Sequence, residues 1–237
     1  GNAVLAALKE QGLNAVAVDV SGHSLELPAG TGLCFNTIHG TFGEDGEVQA
    51  ILESMQMPYT GAGRESSKVA FDKVASKEVF LAHGVPTPAS EIVDCSGGAK
   101  LPVMSLPYVV KPPCEGSSVG VHIVRDQSEA TAAMEDAAKY GDKVLVEQYI
   151  DGLELTVGVL DGAALPIVHI APRSGFYDMK NKYPWLNDDG GTDYYCPADL
   201  DESTTVAVQD AALAAHCALG IEIYSRVDVL LDKKGRP

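Results

Sequence analysis

No stretch of this chain approaches the ~20 apolar residues that a helix needs to cross a bilayer, so no helical span and no membrane partner is expected. None of the five cysteines, Cys34, Cys95, Cys114, Cys196 and Cys217, forms a CxxC pair. Their odd number and wide spacing fit a reduced, intracellular protein, and the cytoplasm is the expected compartment. Basic residues are scarce: 17 Lys and Arg stand against 33 Asp and Glu, a net charge of −16. Nucleic acid, whose backbone needs a basic patch, is therefore not an expected partner. A small anionic ligand is still open, because exposed charges beyond ~8 Å are largely screened at physiological salt and a local pair of lysines can dominate its own pocket. Two nucleotide signatures are also missing. No GxGxxG follows a predicted strand, and no glycine-first P-loop opens a helix, so a nucleotide held by this chain would lie between strands. There are no internal repeats, no low-complexity tracts and no signal-peptide pattern.

What the chain does have is the run Tyr108-Val109-Val110-Lys111-Pro112-Pro113-Cys114-Glu115-Gly116-Ser117-Ser118-Val119-Gly120-Val121. An apolar strand ends in a lysine, a loop of small residues follows, and a second apolar run begins. That order sets a cation and a nest of backbone N–H groups at the mouth of a sheet, and both attract phosphate. A glycine-rich hairpin with a chance lysine is the plainer alternative. Cys114 within the loop reads as a small filler residue.

The 237 residues have ordinary globular composition and permit one large domain or two to three small ones. Periodicity predicts helices over 3–11, 48–55, 66–83, 128–139 and 203–219. Strands are predicted over 14–20, 33–38, 89–93, 107–111, 119–124, 143–149, 153–160, 163–170 and 225–231. The early β/α alternation suggests a parallel sheet covered by helices. Pro58-Tyr59-Thr60-Gly61-Ala62-Gly63 is a candidate boundary, and Asp161-Gly162 signals a type I′ hairpin. Residues 173–197 are long, polar and aromatic without periodicity, the pattern of a lid or binding loop.

Several side chains are candidates for chemistry. Lys73, Lys111 and Lys182 suit phosphates, although Lys73 and Lys182 also read as solvated surface lysines. Lys111 follows Tyr-Val-Val, where an unpaired ammonium would be costly to bury. Glu147 and Glu154 sit in strands, where a carboxylate accepts from a ribose hydroxyl or an adenine amino group, or simply faces water. Arg226 and Asp228 lie two apart on one strand face. They are either a salt bridge or a metal-ligating carboxylate beside an anion-stabilising guanidinium. His39 precedes Gly40 at the end of a predicted strand, where ligand contact competes with a structural role.

In order along the chain stand His39-Gly40 with Gly43-Glu44-Asp45-Gly46, Pro58-Tyr59-Thr60-Gly61, Asp72-Lys73 with Lys77, and Pro86-Thr87-Pro88. Val110-Lys111-Pro112 follows, with Glu115-Gly116-Ser117-Ser118-Val119-Gly120, then Glu147 with Gly152 and Glu154. Tyr177-Asp178 with Lys182-Tyr183, Cys196-Pro197-Ala198 and Ser225-Arg226-Val227-Asp228 complete the set. Together these segments resemble the D-alanine–D-alanine ligases of the ATP-grasp superfamily. The resemblance implies an α/β (α+β) fold in three lobes: a parallel-sheet lobe over 1–63, a central lobe over 64–147 and a C-terminal lobe over 148–237, with ATP between the last two. It implies ATP-dependent joining of two D-alanines for peptidoglycan precursors, with Mg2+ or Mn2+ and frequently as a homodimer. By analogy Lys73, Lys111 and Lys182 hold phosphates, Glu147 meets the adenine edge, Glu154 the ribose, and Asp228 the metal. Ser117 and Ser118 close over the reacting phosphate, Ser117 and Tyr183 link two loops, Arg226 stabilises the oxyanion, and His39 lies near the first D-alanine.

The chain departs from the family at Met179, Lys180 and Asn181 and at an apparent insertion over 184–189. By the same family analogy, retention of Tyr183 implies an amine in preference to a hydroxy acid such as D-lactate. The family's N-terminal glycine-rich segment and the Glu-x-Asn strand with further metal ligands are not within these 237 residues, so the isolated polypeptide is expected to be inactive. The alternatives are another ATP-grasp carboxylate–amine ligase, including a D-lactate or D-serine ligase, and a non-catalytic nucleotide-binding fragment.

Overall fold

The structure is a computed structural model and describes residues 1–20, 22–173, 177, 181 and 191–237. Two antiparallel sheets face one another, each backed by a helix. The first has the order β1-β4-β2-β3, built from β1 (Ser90–Asp94), β2 (Tyr108–Lys111), β3 (His122–Val124) and β4 (Lys143–Gln148). Alternation along the strands decides its two faces. Tyr108, Val110, Val144 and Val146 point one way and pack with Ala130, Ala133, Met134 and Ala137 of α5 (Gln127–Ala137). Val109, Lys111 and Glu147 therefore point the other way, into the cleft. The register aligns Val109 with Glu147 and Lys111 with Leu145. A capping box starts α5: Asp126 accepts from Ser128 N–H, and the Glu129 side chain reaches back to the cap backbone.

The second sheet runs β6-β5-β7-β8 with β9 on the other side of β5. Its strands are β5 (Gly152–Leu160), β6 (Ala163–Ala164), β7 (Val168–Pro172), β8 (Thr192–Tyr195) and β9 (Tyr224–Asp232). Leu155, Val157, Val229 and Leu231 bury one face against Val208 and Ala212 of α6 (Glu202–Ala218). The opposite face carries Glu154, Thr156, Arg226 and Asp228, with Thr156 level with Asp228 and Glu154 level with Leu230. Asp161 and Gly162 both have positive φ, 50° and 71°, as the predicted hairpin requires.

Five expectations need correction. The helix expected over 66–83 is two helices, α3 (Arg64–Phe71) and α4 (Lys73–Ala82). Asp72 breaks it: its backbone turns extended and its carboxylate accepts from Val74 and Ala75 N–H, capping α4. The strand expected from 119 starts only at His122, because Ser117, Ser118 and Gly120 have left-handed φ of 51°, 60° and 65°. The strand expected over 163–170 is interrupted between β6 and β7, and β8 forms inside the supposed loop. In the N-terminal region, α1 (Asn2–Glu10) and α2 (Glu47–Ser54) form as expected, but instead of the expected parallel sheet the described residues show an isolated parallel bridge between Cys34 and Tyr59. Residues 14–20 find no strand partner among the described residues, and Val16 and Phe35 stay exposed. A lone extended segment gains neither ladder hydrogen bonds nor a covered face.

One glycine is fixed by close approach. A Cβ on Gly152 would lie 1.8 Å from the Leu231 carbonyl oxygen, closer than any non-bonded contact. Gly152→Ala must therefore pry β5 from β9. The expected cost is about 3 kcal/mol or more, read as a lower urea midpoint with unchanged slope. An unchanged midpoint would contradict the close approach.

Candidate active site

Between the two sheets lies a cleft of about 650 Å³, within the range of small-molecule sites. The first sheet contributes Lys111 and Glu147 to it, α4 contributes Lys73, and the second sheet contributes Glu154, Arg226 and Asp228. The loop with Ser117 and Ser118 closes one side. Eight sequence-expected residues from six separate segments thus meet the same space.

Two polar clusters organise the cleft. In the first, Glu147 is buried at the sheet face with both carboxylate oxygens engaged. Lys77 Nζ lies 2.8 Å from Oε1, and Lys111 Nζ pairs with Oε2. Burial pushes the Glu147 carboxyl up, but the Lys111 and Lys77 ammonium groups outweigh it and hold the group below the usual carboxylate range. Lys73 stands at the first turn of α4 because Asp72 ends α3. Its backbone N–H donates to the Pro113 carbonyl at 3.1 Å, and its Nζ donates to Pro113 O at 3.2 Å and Glu115 O at 2.5 Å. The lysine thus ties α4 to the glycine-serine loop. Burial, and then repulsion from Lys111, lower its pKa below the usual lysine value. A group so placed gains from an added anion.

In the second cluster, Arg226 Nε lies 3.1 Å from Asp228 Oδ1, and Thr156 donates its hydroxyl to the same oxygen at 2.8 Å. The salt bridge that strand periodicity allowed is present, and it borders the cleft. Glu44 reaches this region from the N-terminal part and accepts from Gly40 N–H at 2.7 Å. Its charge helps to raise the Arg226 pKa, behind the larger effect of Asp228.

The loop of Ser117 and Ser118 holds two consecutive non-glycine residues at positive φ, a conformation costing roughly 1–3 kcal/mol each. Ser118 donates to the Tyr177 carbonyl at 3.1 Å, which joins this loop to the far side of the cleft. The Tyr177 hydroxyl meets that of Tyr194 at 2.9 Å. Burial, and then this bond, push the Tyr177 pKa up. The expected link between Ser117 and Tyr183 cannot be compared, because Lys182 and Tyr183 lie outside the described residues, as do Asp178, Met179, Lys180 and 184–189. Asn181 is buried, and its side-chain oxygen accepts from Gly191 N–H at 3.2 Å.

His39 stands apart from the other expected residues. Its side chain is 89% exposed, 3.7 Å from Glu44, and it is Glu44 that reaches the cleft. Two participants had no role assigned from the sequence, Lys77 having been named only beside Asp72-Lys73 and Thr156 not at all. Lys77 lies four residues after Lys73, a helical spacing that places both on one side of α4. Thr156 lies two after Glu154 in β5, on the same face, as period 2 dictates.

Comparisons with known proteins bear on the family and the overall fold. Residues 3–62 match the family model "D-ala D-ala ligase N-terminus", and residues 94–237 match "D-ala D-ala ligase C-terminus". The chain is 43% identical over 235 residues to the D-alanine–D-alanine ligase of Methylacidiphilum infernorum, covering 99% of this chain and 75% of that protein. The crystal structure of D-alanine–D-alanine ligase from Bacillus anthracis complexed with ATP superposes with a TM-score of 0.72 at 31% identity, covering 87% of this chain and 65% of that one. The VanG D-Ala:D-Ser ligase of Enterococcus faecalis superposes with a TM-score of 0.75 at 28% identity, covering 86% and 61%. The chain thus spans about three quarters of that curated relative and less than two thirds of those solved chains. From both family models, the identity to its relatives and the two facing sheets, the chain belongs to the D-alanine–D-alanine ligase family, whose fold is the ATP-grasp.

Proposed function

We propose that this chain binds ATP between its two sheets, and that the protein carrying it joins two D-alanines into D-alanyl-D-alanine for peptidoglycan precursors. The observation that carries this is the pairing of Lys77 and Lys111 with a single carboxylate, with Lys73 near enough to feel Lys111 and Glu147, in a chain of net charge −16. Ammonium groups crowded on one another need a polyanion, and a triphosphate supplies it. The lobes at 1–63, 64–147 and 148–237 belong to the same proposal, supported by separate hydrophobic clusters around Val48 and Leu52, around Val110 and Val146, and around Leu155 and Val229.

A carboxylate is a poor electrophile because its charge is delocalised. ATP, when bound, supplies the phosphoryl group that makes the first D-alanine an acyl phosphate. The second D-alanine's amine then attacks the carbonyl carbon, the C–N bond forms, and phosphate leaves with the C–O electron pair. On this reading the chain chiefly positions groups and neutralises growing charge. Lys73 and Lys111 hold the phosphates, with Lys182 as a third cation. Glu147 lies at the adenine edge and Glu154 at the ribose. Ser117 and Ser118 cover the transferring phosphate and keep water out. Arg226 faces the charge that develops on the tetrahedral oxygen. His39 acts at the first D-alanine through Glu44.

A divalent cation, Mg2+ or Mn2+, fits the reading in part. Asp228 offers one carboxylate at the cleft, oriented by Thr156. Among the described residues no group of three or more His, Cys, Asp or Glu assembles as a metal set. No helix among those residues is long and apolar enough to cross a membrane. Five free thiols support a reducing compartment such as the cytoplasm.

The test is phosphate release from ATP by the protein carrying this sequence, offered D-alanine alone or with D-serine or D-lactate. D-alanine alone is expected to drive turnover, with the mixed products minor. Nucleotide binding with no turnover on any of these would replace the ligase reading by a nucleotide-binding one.

A further inference from the structure

Lys77 is 6% exposed, the one buried lysine among the described residues, and it is not part of the cleft wall. An ammonium has three N–H donors, and all three are placed: Glu147 Oε1 at 2.8 Å, Thr87 Oγ1 at 2.7 Å and the Pro88 carbonyl at 2.7 Å. No donor is left for a ligand. Its charge nevertheless sits one carboxylate away from Lys111, which does face the cleft.

Lys73, Lys77 and Lys111 against Glu147 leave the cluster with a net charge of +2. Without Lys77 the sum is +1, and Lys111 becomes the sole direct partner of a buried carboxylate. A lone buried pair closes on itself, because an ion left without its partner pays the full desolvation cost. Lys111 would then be committed to Glu147 and withdrawn from any phosphate. With Lys77 present, one carboxylate oxygen is already satisfied from the side away from the cleft.

We propose that Lys77 is a positioning residue for the nucleotide: it neutralises Glu147 from behind, so that the charge of Lys111 stays available to the triphosphate. This rests on the reading that the cleft binds ATP. It differs from a plain structural role, in which Lys77 only pins α4 to the Thr87-Pro88 segment. A structural pin affects melting. It does not make phosphate affinity depend on whether Glu147 carries a charge.

The experiment compares wild type, Lys77→Met and the double variant Lys77→Met/Glu147→Gln. Each is titrated calorimetrically with ATP and with inorganic tripolyphosphate, and its melting temperature is recorded. Lys77→Met is expected to bind both ligands on the order of tenfold more weakly. Adding Glu147→Gln removes the competing charge and is expected to recover most of that loss for tripolyphosphate. A folded Lys77→Met protein with wild-type affinity would overturn the proposal, and so would a double variant that binds tripolyphosphate no better than the single one. If Lys77→Met does not fold, the double variant decides alone: tripolyphosphate affinity within about threefold of wild type upholds the proposal, and a larger loss overturns it. Wild type that binds neither ligand strikes the nucleotide reading itself, whereas wild-type binding with an unaffected Lys77→Met strikes only this inference.

Discussion

Lys111→Met is expected to weaken ATP binding by on the order of 100-fold while leaving the fold intact. The fold survives because Glu147 keeps Lys77 at 2.8 Å, so no buried carboxylate is orphaned. The affinity falls because Lys111 is the cation that both lines the cleft and shares the sheet face with Glu147. A triphosphate that loses one of its direct ammonium partners loses a charge-assisted contact made in a partly dry site. Calorimetric titration with ATP, beside a melting curve, measures both halves of the claim. Wild-type affinity in a folded variant would place the phosphates elsewhere.

Arg226→Met is expected to show the opposite signature. Turnover should fall by roughly 10²- to 10³-fold, the usual loss when one donor aimed at a developing oxyanion is removed. ATP affinity should move by no more than about threefold, because the guanidinium pairs with Asp228 on the second sheet and does not belong to the lysine cluster. Asp228 keeps the Thr156 hydroxyl at 2.8 Å, so the carboxylate is not left bare. Steady-state kinetics with ATP and D-alanine varied separately resolve the two terms. A rise in KM for ATP with unchanged kcat would move Arg226 from the chemistry to nucleotide binding.

The contrast between these two variants follows from which strand each residue occupies. Period-2 alternation places Lys111 on the side of β2 away from Val110, whose side chain is fully buried. The same rule places Arg226 and Asp228 on one side of β9 and buries Val229 and Leu231 on the other. Local pattern was sufficient there, because a strand with one covered face has little choice of orientation. The helices α5 and α6 were legible for a similar reason, since their apolar positions recur at helical spacing, whereas their caps, Asp126 and Asp201, emerge only in the structure.

Other features were not legible because distant groups decided them. The division of 66–83 into two helices depends on the side chain of Asp72 competing for backbone N–H groups, and on Lys73 being held by the Pro113 and Glu115 carbonyls some 40 positions away. Apolar spacing alone runs straight through that break. β8 looked like loop because Thr192–Tyr195 is polar and aromatic, and only pairing with β7 makes it a strand. The 14–20 and 33–38 segments have strand composition, yet composition cannot supply a neighbour, and among the described residues only the Cys34–Tyr59 bridge forms.

The chain's own residues determined the family, the alternation of faces and most of the groups that line the cleft, because those follow from short-range periodicity and from motif order. Only the folded arrangement decided that Glu147 lies between two ammonium groups and that Lys77 belongs to the site. Coulomb energy falls with distance in space and takes no account of separation along the polymer. Lys77, Lys111 and Glu147 are strangers in sequence, and packing α4 across the face of the first sheet makes them one electrostatic unit.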